Sequence, residues 1–276
     1  MQVVGQKYNL ELINSWEKIP NFIIIKGDKN TGKTTLTFAI CEKFNMHYVK
    51  MGNSVNDVRE LVKLMTPKSN TVYHFKDFDK ASLQAKNALL KITEETPEGN
   101  TIIITGNTQI NTLESRARKI IMSAYTLDEM MEYMKKSIIS SEVQQKLYMA
   151  GINTPSKFEK YYTYEKLEDL LNYAFYIYNR ITMLEYMDCI SLIMSFKPKK
   201  KEEAEVLDVE LLFMTMLIHI IEYNIVNKQK YDYYSILNIL ISAKESIERD
   251  YTLNKKFILF RAFTSIKELR GNICEN

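Results

Sequence analysis

The stretch Gly27-Asp28-Lys29-Asn30-Thr31-Gly32-Lys33-Thr34 decides how this chain is read. It has the spacing G-x-x-x-x-G-K-[ST], and the chemistry needs those residue types. Glycines let the backbone curl until successive N–H groups face one centre, and a following helix adds the positive end of its dipole. A lysine here reaches the outer phosphates of a nucleotide and the next hydroxyl ligates magnesium, the roles expected of Lys33 and Thr34. Gly27, Asn30, Thr31, Gly32 and Thr35 complete the expected phosphate contacts. The flanks have the form the motif demands. Residues 21–26 (NFIIIK) are a continuous apolar run, read as a buried strand, and residues 33–44 read as a helix.

Outward from the loop, the first half alternates. Residues 47–50, 71–75, 101–105 (TIIIT) and 119–123 are further strands. Ser54 and Asp57 form a capping box that opens a helix with Val58, Leu61, Val62 and Met65 on its inner face. Residues 82–93 form another, with Leu83, Ala85, Leu89, Leu90 and Ile92 turned inward. Strands alternating with helices predict a mainly parallel sheet covered on both faces. Beyond residue 123 the pattern is helical. Thr126 and Glu129 make a second capping box, and helices are expected over 128–139 and 142–150. A turn at 151–155 follows, with Thr154-Pro155 as N-cap and first helical residue. Further helices are expected over 164–179, 183–196, 209–225, 233–249 and 254–270, with a polar linker at 197–205. The predicted plan is an α/β domain over residues 1–124, a small helical lid over 125–163 and a helical bundle over 164–276.

Composition sets limits. The chain has 276 residues, 46% of them hydrophobic, enough for a real core in about two units. A formal net charge of +3 excludes a strongly basic coat, so any nucleic-acid contact must be a local patch. Lysine greatly outnumbers arginine, so each arginine carries more information. Cys41, Cys189 and Cys274 are far apart and no CxxC pair occurs, which argues against disulfides or zinc and for a reducing, cytoplasmic compartment. The opening MQVVGQKYNLELINSW has no apolar signal core. The longest apolar run, 211–221, is too short to span a bilayer and reads as a buried helix, so no membrane partner is expected. His47, His74 and His219 are isolated and are assigned no metal.

Four more elements carry a family resemblance. Asn87-Ala88-Leu89-Leu90-Lys91-Ile92-Thr93-Glu94-Glu95-Thr96-Pro97 resembles the NALLKxLEEPP signature of clamp-loader AAA+ subunits. Residues 101–107 (TIIITGN) are similar to the strand that ends in sensor 1, and residues 112–118 (TLESRAR) to the TIxSRC element. Residues 55–61 (VNDVREL) resemble the IDxIREL helix. With the phosphate loop these elements run in family order over about residues 20–123, and the compact bacterial γ and δ′ subunits, or a phage-encoded equivalent, are the members they resemble. The resemblance implies an α/β P-loop AAA+ domain with a parallel sheet, then an all-α lid and an all-α, collar-like bundle.

It also assigns residues. Arg116 matches the arginine finger that enters a neighbour's site, where a planar guanidinium stabilises charge on the γ-phosphate; the bland alternative is a solvated basic turn. Asn107 matches sensor 1, against an ordinary strand-end turn residue. Lys157 stands near the sensor 2 position of the lid, against an ordinary helix-surface lysine. Two departures from the family matter. Its zinc module is absent, and its acidic box is altered. Aligning residues 72–79 (VYHFKDFD) puts Lys76 where the magnesium-orienting aspartate belongs and Asp77 in the catalytic-glutamate place. A shift of register would instead let Asp77 or Asp79 face the metal. An ammonium there repels magnesium, which implies a site poorly equipped for hydrolysis.

The implied cofactors are ATP and magnesium. The implied partners are other clamp-loader subunits in a hetero-oligomer, a sliding clamp, and primer–template DNA held by its backbone through lysines such as Lys80 and Lys86. Two rivals stand beside this reading: a self-sufficient AAA+ ATPase such as a helicase loader, and a non-hydrolysing P-loop scaffold.

Overall fold

Strand β1 (Phe22–Lys26) sends alternate side chains to opposite faces of a sheet, and both faces are covered. The computed structural model describes residues 3–107, 111–181, 183, 208–228, 233–249 and 254–274. They divide into two units, Met1–Glu129 and Met130–Asn276. In the first, β1 is joined by β2 (His47–Met51), β3 (Thr71–Phe75), β4 (Asn100–Gly106) and β5 (Arg118–Ile121) in the order β2-β3-β4-β1-β5. Every pairing between neighbours is parallel. Ile23, Ile25, Val72, Ile103 and Ile120 meet Ile13 of α1 (Lys7–Asn14) and Leu36, Ile40 and Cys41 of α2 (Lys33–Lys43). On the other face Phe22, Ile24, Tyr73, Phe75, Ile102 and Ile104 meet Val58 and Leu61 of α3 (Val55–Leu64) and Ala85 and Leu89 of α4 (Leu83–Glu94). Burial on two sides explains why the inner strands β1 and β4 read as apolar runs, whereas the edge strands β2 and β5 keep exposed polar residues.

The Ser54–Asp57 capping box forms, with Ser54 N donating to Asp57 Oδ2 at 2.8 Å and Asp57 N to Ser54 Oγ at 3.2 Å. Two of the expected inner positions are instead exposed. Val62 is 57% exposed because Val58, Leu61 and Met65 make the stripe that meets the core and Val62 flanks it. Leu83 is 72% exposed because it stands in the first turn of α4, ahead of Ala85 and Leu89. Helix α1 was not foreseen. It is largely polar and is held by buried amides: Asn9 Nδ2 donates to Ile121 O at 2.9 Å and Gln6 Nε2 to Ser123 O at 2.7 Å. A short α5 (Asn111–Glu114) precedes β5.

The remaining helices are α6 (Leu127–Met134), α7 (Ser141–Met149), α8 (Pro155–Tyr162), α9 (Leu167–Arg180), α10 (Val209–Lys228), α11 (Tyr234–Arg249) and α12 (Lys255–Cys274). Helix α6 stops short of residue 139, since Ser137 N turns back to Met134 O at 2.8 Å. Thr154 caps α8 with Pro155 in its first turn. The α10 side chains are apolar on all sides, and the helix packs against α7, α9 and α11, with Phe213 stacked on Tyr173 at 5.4 Å. Its apolar window, Val209–Asn227, is longer than the 211–221 run read from the sequence and has the length and composition of a membrane span. Much of it, 61%, is nonetheless buried in this unit, as a core helix is. The helix expected over 183–196, apart from Met183, and the linker over 197–205 lie outside the described residues, as does Cys189.

Candidate functional site

Because β1 sits between β4 and β5, the loop after Lys26 leaves the middle of the sheet at its carboxyl edge, where open parallel sheets bind ligands. Neighbouring strands hold both sides of it. Gly27 N donates to Gly106 O at 3.1 Å and Met122 N to Lys26 O at 2.7 Å. Asn30 and Gly32 take left-handed backbone angles, φ 68° and 89°. A side chain at 32 would meet Tyr125 Oη at 2.8 Å, and that hydroxyl donates to Thr31 O at 3.1 Å. Tyr125, buried just after β5, therefore braces the loop and makes glycine obligatory at 32. Thr31 Oγ1 closes the turn by donating to Asp28 O at 2.8 Å. Thr34 and Thr35 stand half-buried in the first turn of α2.

The Lys33 ammonium folds back onto this loop and donates to Gly27 O and Asp28 O, each at 2.6 Å. Burial lowers its pKa, and the carboxylates of Asp77, Asp28 and Asp79 oppose that in descending order. Asp77 is thus the carboxylate that acts most strongly on the loop lysine. It follows β3, takes a left-handed φ of 53° and starts a 3-10 turn, Phe78–Lys80. Its N–H donates to Thr105 Oγ1 at 3.4 Å. Asp79 lies against the end of β4: its Oδ2 accepts from Asn107 N at 3.3 Å, and a side chain at Gly106 would meet its Oδ1 at 2.7 Å. Lys76 is exposed, and its carbonyl accepts from Asn53 Nδ2 at 2.7 Å. The first N–H groups of α2, the Lys33 ammonium, the Thr34 hydroxyl and the Asp77 carboxylate form a donor set that fits a magnesium-bound phosphate chain: N–H and ammonium for anionic oxygens, hard oxygens for the metal.

The other expected residues have varied surroundings. Arg116 is half-exposed. Its Nε donates to Glu94 Oε1 at 2.8 Å and its Nη1 to Thr112 O at 3.3 Å, and Arg116 is not among the charges acting on Lys33. The turn that carries it is anchored by Glu114, a carboxylate 11% exposed that binds Lys26 at 3.0 Å and Lys119 at 3.4 Å. Lys80 is exposed, whereas Lys86 turns inward and donates to Asp79 O at 2.6 Å. Lys157, in the second unit, donates to Gly151 O at 2.7 Å, and burial, then Lys244, lowers its pKa. Sequence reasoning gave no role to Tyr125, Glu94, Glu114 or the buried His74. Glu94 and Glu114 carried a signal, their places inside the quoted NALLK and TLESRAR segments.

No protein-family model and no curated protein matches the chain. Solved structures do. A substituted form of RuvB from Thermotoga maritima superposes with a TM-score of 0.51 at 13% identity, covering 90% of this chain and 86% of that one. A second substituted form of RuvB gives 0.50 at 13% identity, over 89% and 85%. A DNA polymerase III gamma subunit-related protein from Thermotoga maritima gives 0.47 at 17% identity, over 96% and 99%. The RuvB likeness, together with the strand order and the loop after β1, defines the fold: it is an AAA+ fold, a P-loop sheet domain followed by helices.

Proposed function

We propose that this chain is a δ′-like subunit of a DNA polymerase clamp loader. It binds magnesium ATP at residues 27–34 and lends Arg116 to a neighbouring subunit. The observation that carries the reading is the Arg116–Glu94 pair. It joins two separate stretches that resemble clamp-loader elements, and it holds a guanidinium at the surface. Magnesium, when bound, neutralises phosphate charge. The chain's residues do the rest: Lys33 gives up its loop carbonyls for phosphate oxygens, Thr34 and Asp77 supply metal-facing oxygens, and Asn107 orients a water at the end of β4. Lys76 beside Asp77 weakens the hold on magnesium, so turnover by the isolated chain is slow.

In the same reading residues 125–163 act as a lid, and residues 164–276 form the collar through which subunits of a cytoplasmic complex assemble. Primer–template DNA passes along the region of the exposed Lys80, gripped by its phosphates, while the complex opens a sliding clamp. The test is calorimetry of ATP with and without magnesium. Wild type binds, and Lys33→Ala binds at least about tenfold more weakly with unchanged melting. Absence of any wild-type affinity would leave a P-loop scaffold as the better reading. Robust turnover by the isolated chain, lost in Lys33→Ala, would favour a self-sufficient ATPase.

A further inference from the structure

Position 74 breaks the rule that governs its strand. Every residue of β3 is buried, and the fourth is an imidazole with no exposed surface. A buried ring of this kind is tolerated only when its nitrogens are bonded, and both are. Nδ1 lies 2.9 Å from Tyr48 Oη, and Nε2 lies 3.1 Å from Thr105 Oγ1. The same Thr105 oxygen accepts the Asp77 N–H. A continuous polar line therefore runs Tyr48, His74, Thr105, Asp77, and it ends on the residue whose carboxylate acts most strongly on Lys33.

The hydrogen bookkeeping gives the line a direction. A hydroxyl has one hydrogen and two lone pairs. One tautomer satisfies every partner in the line: Thr105 accepts from Asp77 N–H and donates to His74 Nε2, and the ring hydrogen on Nδ1 goes to Tyr48 Oη. Only a neutral ring accepts at Nε2. Burial, reinforced by Lys76 and Lys50 against Asp77, pushes its pKa down to about 4 and keeps it neutral. Asp77 itself sits in a left-handed conformation that non-glycine residues adopt only when their surroundings impose it. The geometry points to His74 as a positioning residue: by fixing Thr105 it holds the Asp77 backbone in its left-handed turn and so aims the Asp77 carboxylate at the phosphate loop. What the carboxylate then does there rests on the magnesium-nucleotide reading above; the hold on the backbone does not.

The experiment has two arms on the full chain. The first reads hydrogen exchange of the Asp77 amide by NMR without nucleotide. His74→Leu and Thr105→Val, the latter keeping the volume of Thr105, are expected to raise that exchange rate about tenfold while amides of β1 and β4 keep theirs. His74→Gln, whose side-chain amide reaches the Nε2 position, restores protection. The second arm titrates ATP in EDTA and in magnesium. In His74→Leu and Thr105→Val the gain in affinity due to magnesium falls about tenfold, while affinity in EDTA stays within about twofold, since Lys33 and the loop are untouched. Equal Asp77 protection in wild type and both variants would overturn the inference. So would a loss that spreads to β1 and β4 in both, because His74 would then be core packing and nothing more. A wild type without ATP affinity would remove the proposed function and still leave the Asp77 amide to judge His74.

Discussion

His74 also gives the folded chain a response to acid. An exposed imidazole takes up its proton near pH 6.5, whereas burial holds this one back to about pH 4. Between those values the unfolded chain binds a proton that the folded chain refuses, so stability rises with pH across the window and is lost as pH falls through it. By pH 4 the loss from this group reaches about 3 kcal/mol. Thermal melting from pH 7 down to 4.5 should show a shallower decline in His74→Gln than in wild type; coincident slopes would mean that the ring takes no part in the titration. The loop residues were legible because Gly27 through Thr34 act through their own contiguous backbone. The choice between Asp77 and Asp79 was not, because it depends on a left-handed turn fixed by the Thr105 hydroxyl and the Asn107 N–H, both on another strand. Tyr125 was invisible for the same reason. Its hydroxyl reaches Thr31 across most of the unit, and no local pattern announces that. Lys86 read as a lysine for a DNA backbone, yet its ammonium turns to Asp79 O and closes the turn before α4.

Helix ends offer sharper tests than helix interiors. Ser54→Ala removes an acceptor from the first turn of α3 and strands the Asp57 N–H, for an expected loss of about 1 kcal/mol, measured by urea unfolding. Gly151→Ala should cost more. Gly151 has φ 83°, and an added methyl would meet the His219 ring at 2.0 Å, while the ring is tied to Glu222 at 2.8 Å. If the second unit unfolds separately, its transition alone should move. The inner strands β1, β3 and β4 were readable from sequence because each is buried on both faces, and the caps because they are local pairs of side chains. Helix α1 escaped because its sequence KYNLELIN has only Leu10, Leu12 and Ile13 to suggest an inner face, and its anchors, Gln6 and Asn9, are amides. Val62 and Leu83 were misplaced because periodicity gives the direction of a stripe but not its width.

In the assembled state proposed for the chain, Arg116→Ala should lower the ATPase rate of the complex by at least about tenfold, well inside the roughly 10³–10⁵ that such fingers supply at one site, while the chain's own affinity for ATP stays nearly unchanged. Arg116→Lys should rescue only in part, since an ammonium lacks the planar fork. Steady-state turnover of the reconstituted complex on primed DNA with clamp is the measurement, and equal rates with assembly intact would return Arg116 to the surface. Synthesis of the chain meets a different constraint. Strand β1 leaves the ribosome long before either of its neighbours exists. Ile23 pairs with Ile103 on one side and Arg118 on the other, while β2 and β3, the next strands made, pair with each other. Phe22, Ile23, Ile24 and Ile25 must therefore wait unpaired until the chain has run past residue 106, and Ile23, Ile24 and Ile25 wait for their second partner until it has passed residue 121. Distant parallel pairings close slowly, and an apolar strand left waiting is open to wrong partners. A nascent chain halted before Tyr125 carries the whole glycine-lysine signature and lacks the hydroxyl that braces it at Thr31.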